Sequence, residues 1–148
     1  MSAKDEEREY CWTDDRGDYY YMNRFMGFRF PQGTEIPEEY KDKPEGFQAA
    51  KELLGRLFNE TEQFDTKRVE SLNLKQIGER TEKSESGKTK YVKLSETAFN
   101  PNYLKTLRRV YKDADWYVRP DKEPLSNLYV VDPGTMETVA VLMPMRIF

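Results

Sequence analysis

The chain of 148 residues contains no histidine and only one cysteine, Cys11. Without histidine, neither a Ser-His-Asp nor a Cys-His catalytic arrangement can form, and HExxH zinc sites are excluded. A single cysteine forms no internal disulfide and cannot complete a structural zinc site alone. We therefore predict a protein that is not an enzyme and uses no metal or cofactor. An enzyme that relies on carboxylates and acts on nucleic acid is the remaining catalytic alternative.

The chain also lacks long apolar runs. No stretch approaches the roughly 20 apolar residues of a membrane span. The charged start from Met1 to Glu9 has no apolar core of the kind found in signal peptides. Aromatic residues make up 14% of the chain, which is more than disordered chains carry. These features predict a cytoplasmic globular protein with no membrane partner.

Acidic residues are concentrated at the start of the chain. Residues 1–18 hold three basic and seven acidic side chains, a net charge of -4, whereas the whole chain carries -3. The remaining 130 residues therefore sum to +1 and could present a basic face. We predict an acidic, loosely ordered segment over 1–18, followed by one domain over 19–148.

Apolar periodicity places the main elements of that domain. Alternation around Phe28 and Phe30 predicts extended structure over 19–30, and an apolar face predicts a helix over 47–58. Asn100 and Pro101 are typical of a helix start and predict a second helix to about residue 112. Strands are predicted at 69–77, 91–94, 116–118, 127–131 and 138–143, with a hairpin tip over 79–90 and a turn at 132–134. The fold class is α+β, with two helices packed on antiparallel sheets.

The second predicted helix carries a stripe of one charge. Lys105, Arg108, Arg109 and Lys112 recur at intervals of i, i+3, i+4 and i+7, and no acidic residue lies between Asn102 and Lys112. One interpretation is a surface that contacts phosphates, which would make binding salt-dependent. The other is a solvated helix face whose cations meet acids from other elements.

The last ten residues begin with an apolar run over 139–143, which is typical of a buried strand. Pro144 ends the strand, and two methionines flank it, followed by Arg146. Methionine side chains form adaptable apolar surfaces. The alternatives are therefore a binding surface or a last core strand with a loose tail.

Three blocks of sequence resemble the end of the third domain of the bacterial DNA polymerase sliding clamp, the ring-shaped processivity factor. The block at 143–147 reads Met-Pro-Met-Arg-Ile and resembles the characteristic end of the family. The block at 98–104 resembles the entry to the helix of the last repeat, and the block at 123–130 resembles the penultimate strand. The blocks occur in the family's order and cover about 50 residues.

The resemblance implies a single clamp-like domain that acts by tethering in DNA replication, with a possible origin in a phage or mobile element. In clamps the helices face duplex DNA, which implies this role for Lys105, Arg108, Arg109 and Lys112. Because a clamp subunit has three such domains, a ring would require a homo-oligomer or a larger partner. The alternative is an interaction protein that mimics or blocks a host clamp. The family's cleft for peptides of polymerases and repair proteins corresponds to Leu125, Asn127, Val141, Met143, Pro144, Met145 and Arg146.

Overall fold

The structure is a computed structural model that describes residues 8–146. The first seven residues of the acidic segment and Ile147 of the clamp-like block lie outside the described residues. Within 8–146 the chain forms three α-helices and ten strands. The helices are α1 (Gln48–Gln63), α2 (Leu74–Glu79) and α3 (Pro101–Val110). The strands are β1 (Tyr10–Thr13), β2 (Tyr19–Met22), β3 (Met26–Phe30), β4 (Lys67–Val69), β5 (Glu82–Lys83), β6 (Lys90–Leu94), β7 (Thr97–Phe99), β8 (Asp115–Val118), β9 (Leu128–Val131) and β10 (Thr138–Leu142).

Two antiparallel sheets organise the domain. The large sheet has seven strands in the order β1-β2-β3-β10-β9-β8-β4, and the small sheet has the order β5-β6-β7. The last strand, β10, therefore lies in the middle of the large sheet, between β3 and β9. The two sheets are joined where Met145 bridges to Ala98 of β7. The predicted α+β class is confirmed.

The two faces of the large sheet are covered by different helices. Phe28 on β3 is fully buried in a cluster that includes Leu104 and Leu107 of α3. Successive side chains of a strand point to opposite faces, so neighbouring Gly27 faces the other side. That side is covered by α1, whose Leu54 lies directly over Gly27. The helices α1 and α3 thus pack on opposite faces of one sheet.

The second half of the chain follows the sequence closely. The α3 helix begins at Pro101 after Asn100, whose side chain accepts a hydrogen bond from the backbone amide of Asn102. Strands β6, β8, β9 and β10 lie within one residue of their predicted bounds. The long helix α1 was also predicted, although it continues five residues beyond the expected end at 58.

The predicted strand over 69–77 is wrong beyond Val69. Strand β4 ends at Val69, and α2 begins at Leu74. Asn73 and Gln76 form a reciprocal capping box, in which each side chain accepts a hydrogen bond from the other residue's backbone amide. This local cap, together with complete burial of Ile77, outweighs the alternating pattern that suggested a strand.

The acidic N-terminal segment contains a strand that the sequence does not suggest. Tyr10–Thr13 forms β1 at the edge of the large sheet, paired with β2. The ring of Trp12 stacks on that of Tyr20 with 5.5 Å between centroids. The outer edge of β1 is partly covered because Cys11 bridges to Glu45. Aromatic packing therefore orders residues that composition alone assigns to a loose segment.

Candidate functional site

The residues of the predicted peptide site lie at one end of the large sheet. The ladder between β9 and β10 ends with the pair Leu128 and Leu142, so Asn127 and Met143 lie immediately beyond it. The amide of Met143 donates to the carbonyl oxygen of Phe25 at 2.9 Å. The amide of Met145 donates to the carbonyl oxygen of Ala98 at 2.8 Å. These two bonds hold the stretch from Met143 to Met145 between the two sheets.

Val141 is the one residue of the predicted peptide site that is buried and cannot contact a partner. Met143 is 38% exposed and Leu125 is 37% exposed, whereas Val141 is 2% exposed. Val141 pairs with Gly27, which lies directly beneath Leu54 of α1, so α1 covers this part of the sheet. The exposed or half-buried members of the predicted site are Leu125, Asn127, Met143, Pro144, Met145 and Arg146.

The loop that carries Leu125 is held by a buried hydroxyl. The side chain of Ser126 is buried and accepts a hydrogen bond from the amide of Arg119 at 2.8 Å. It donates in turn to the carbonyl oxygen of Asn127 at 2.7 Å. The carboxylate of Glu123 accepts from the amide of Glu96 at 2.6 Å. Leu125 is therefore an exposed apolar side chain on a firmly anchored loop.

Beside this loop, a buried arginine joins α1 to the sheet. Arg119 is 4% exposed, and its guanidinium carbon lies 3.7 Å from the centre of the Phe64 ring. It makes a two-point bond with Asp121, which raises the pKa of Arg119. Its Nη1 lies 3.5 Å from Glu60, which also accepts from the hydroxyl of Tyr129. The cluster fixes the end of α1 against the sheet.

Sequence reasoning missed this cluster. Its members come from residues 60 to 129, and the predicted end of α1 at 58 leaves Glu60 and Phe64 outside any element. Arg119 follows a strand and precedes a proline, which is typical of a surface loop. A buried arginine in such a position is visible only once the elements are assembled.

The predicted basic stripe is divided by the packing of α3. Arg108 turns inward: its Nε donates to the carbonyl oxygen of Leu72 at 3.0 Å, and Nη1 donates to the carbonyl oxygens of Tyr111 and Lys112. Its guanidinium carbon lies 4.9 Å from the centre of the Trp116 ring, and burial lowers the pKa of Arg108. The structure thus places Arg108 as a link between α3, the segment that precedes α2, and β8.

The other three cations of the stripe remain at the surface. Arg109 and Lys112 are exposed and Lys105 is half-buried. Within residues 8–146 none of the three forms an ion pair. Arg109 and Lys112 line a groove of about 540 Å³ between the end of α3 and the loop before Glu39. Carboxylates share this groove, namely those of Glu35, Glu39, Asp113 and Asp132.

The described part of the chain, residues 8–146, contains no group of three or more cysteine or acidic side chains that could hold a metal ion. The turn of acids at 14–18 is organised by its own backbone. The carboxylate of Asp14 accepts from the amides of Arg16 and Asp18 and from the hydroxyl of Tyr20. Asp14 therefore closes a turn, a role for which aspartate is well suited.

In comparisons with family models, with curated proteins and with solved structures, nothing matches this chain. Among the described residues, no helix is both long enough and apolar enough to span a bilayer.

Proposed function

We propose that this chain is a non-enzymatic module related to the sliding clamps of DNA replication, and that it binds short apolar peptides of replication or repair proteins. The observation that carries the proposal is the position of Leu125 and Met143. Both are large apolar side chains that are more than a third exposed. Leu125 precedes β9 and Met143 follows β10, and the start of β9 pairs with the end of β10. Exposed apolar groups at one end of a sheet suit an interaction surface.

The chemistry around these two side chains suits a peptide. Met143 supplies a flexible, polarisable contact that adapts to different anchors. Asn127 offers an amide that can bond to a peptide backbone, and exposed Arg146 can pair with a carboxylate. Because Ser126 and Arg119 anchor the loop, little conformational entropy is lost when Leu125 is covered.

The position of α1 supports a site formed by one domain. In clamps a neighbouring domain supplies one wall of the peptide cleft. Here α1 packs across β10 of the same domain and covers Val141. The wall that the chain would otherwise lack can therefore come from α1.

Titration of the protein with a fluorescent clamp-binding peptide tests this proposal. We expect Met143→Ala and Leu125→Ala each to raise the Kd about tenfold, the loss of about 1.4 kcal/mol that an apolar anchor contributes. Met136→Ala is the matched control, because Met136 is 67% exposed in the turn before β10 and lies away from the site. Equal affinities for all four proteins would overturn the proposal.

Duplex DNA is a second candidate partner. Lys105, Arg109 and Lys112 form no ion pairs within residues 8–146, so their charges remain available to phosphates. We expect the double change Lys105→Glu and Arg109→Glu to weaken duplex binding and to reduce the dependence of affinity on salt. The double change Lys88→Glu and Lys90→Glu, at exposed positions of the hairpin between β5 and β6, provides a control with the same change in charge. Unchanged affinity in the α3 double variant would exclude α3 as the DNA contact.

The alternative role is an interaction protein that mimics or blocks a host clamp without encircling DNA. Light scattering separates these roles, since an autonomous ring needs several copies of a chain this size. A stable monomer that competes with a host clamp for the same peptide would favour the alternative. A closed oligomer would favour an independent clamp.

A further inference from the structure

An apolar groove lies at the start of α1, on the face of the large sheet that α1 covers. Its volume is about 280 Å³. The first turns of α1 contribute Phe47 and Leu53, and the first two strands contribute Tyr10 and Met22. Phe47 is 57% exposed, one of the most exposed aromatic side chains of the described residues. The groove is smaller than the roughly 300–1,000 Å³ typical of small-molecule sites, so its size suits one large side chain.

The exposed position of Phe47 is held by the residues around it. A side chain at Gly46 would place its Cβ 2.6 Å from the ring of Trp12, so the backbone enters α1 in close contact with that ring. The ring of Phe47 meets that of Tyr10 edge to face, with 5.5 Å between centroids. Phe47 is thus kept at the rim of the groove before any partner arrives.

Two arginines, Arg8 and Arg24, line the groove, and none of its lining residues within 8–146 is acidic. Arg24 is exposed and forms no ion pair among the described residues; its guanidinium lies 5.7 Å from the ring of Phe25. Glu9, which follows Arg8, accepts a hydrogen bond from Tyr21 and pairs with Lys43. A carboxylate brought by a partner would therefore meet in Arg24 a cation that has no ion-pair partner within residues 8–146.

We propose that this groove binds an acidic, apolar peptide segment of a partner protein. A large apolar side chain of that segment enters between Phe47 and Leu53, and an adjacent aspartate or glutamate pairs with Arg24. Neither Leu125 nor Met143 lines this groove, and the proposal does not depend on the surface that they form. Apolar contact supplies the affinity, and the charge selects acidic segments over basic ones.

Nuclear magnetic resonance titration with a capped four-residue peptide tests the proposal. The probe has leucine and phenylalanine at its centre, flanked by glutamate and aspartate. One matched peptide replaces the acids with lysine, and another replaces the two apolar residues with serine. We expect shifts centred on Tyr10, Met22 and Phe47, and at least fivefold weaker binding of both matched peptides.

Variants link the binding to the groove. We expect Arg24→Glu to weaken the acidic peptide at least fivefold and to improve binding of the lysine peptide. Arg56→Glu is the control because Arg56 is also exposed but lies outside the groove. Phe47→Ser should abolish binding; if that variant fails to fold, Arg24→Glu still decides the matter. Met143→Ala should bind the acidic peptide with an affinity within twofold of that of the unaltered protein.

Several outcomes would overturn the proposal. Equal affinities for the acidic and lysine peptides would show that Arg24 does not select acidic segments. Chemical-shift changes at residues outside the groove would show that the peptide binds elsewhere. Displacement of the peptide by dodecanoate at lower concentration would identify a lipid-like ligand instead. A dimer in light scattering that Phe47→Ser dissociates would show that a second copy occupies the groove.

Discussion

Gly27 lies so close beneath Leu54 that a Cβ at Gly27 would be 2.2 Å from the Cδ1 of Leu54. This contact lets α1 lie directly on β3 and β10, and it covers Val141. Leu54 is itself 1% exposed and therefore has little room to move.

We expect Gly27→Ala to destabilise the protein by about 2 kcal/mol, the usual cost of overpacking a core position. Urea denaturation with a constant m value measures the change. Gly55→Ala is the control in α1, the helix that lies over Gly27, because a Cβ at Gly55 meets nothing within 4 Å. That variant should gain about 0.5–1 kcal/mol, because alanine suits a helix interior better than glycine. Equal stability of the two variants would contradict the close packing of α1 on Gly27.

Arg108 and Arg109 are adjacent, yet we expect opposite consequences when they are replaced. Arg108→Met should cost about 2 kcal/mol, since the bond to the carbonyl oxygen of Leu72 is lost within a partly buried setting. Arg109→Met should leave stability nearly unchanged, because Arg109 is exposed and forms no ion pair within residues 8–146. Thermal unfolding compares the two variants. Equal melting temperatures would contradict the inward placement of Arg108.

Tyr20 and Tyr40 should make the fold sensitive to alkali. Burial raises the pKa of Tyr20 and of Tyr40 to about 12, whereas an unfolded tyrosine has a pKa near 10. Between these values the unfolded chain loses the protons that the folded chain keeps. Stability is therefore fully present below about pH 10 and falls as the pH rises towards 12. Urea denaturation across this range should show a shallower decline for the double variant Tyr20→Phe and Tyr40→Phe. An identical decline of stability with pH in the two proteins would contradict the raised pKa values of Tyr20 and Tyr40.

Asp18 should make the fold sensitive to acid. Burial by itself would raise the pKa of Asp18, but the amide of Gln32 and the guanidinium of Arg29 hold it below its ordinary value. A lowered folded pKa adds stability that is present above about pH 4 and is lost as the pH falls through the folded value. Asp18→Asn should therefore lower stability at neutral pH and flatten its decline in acid. The same change at exposed Asp65 is the control, and matching curves would rule out this role.

Local signals explain which elements could be predicted. Asn100 and Pro101 define the start of α3 within a few residues of sequence, and alternating apolar residues define β9 and β10. The strand predicted over 69–77 was wrong beyond Val69 because the cap formed by Asn73 and Gln76 favours a helix over the alternating pattern. A strand and a short capped helix can share such a pattern, and only burial of Ile77 separates them.

The sequence by itself determined the absence of histidine chemistry, the α+β class, the cations of α3 and the residues that carry the resemblance to sliding clamps. Tertiary structure decided which of those residues are available. It turned Arg108 inward while leaving Arg109 exposed, and it covered Val141 with α1 while leaving Met143 at the surface. The physical reason is that exposure depends on contacts between residues far apart in the chain, such as Leu54 over Gly27, and no local pattern records them.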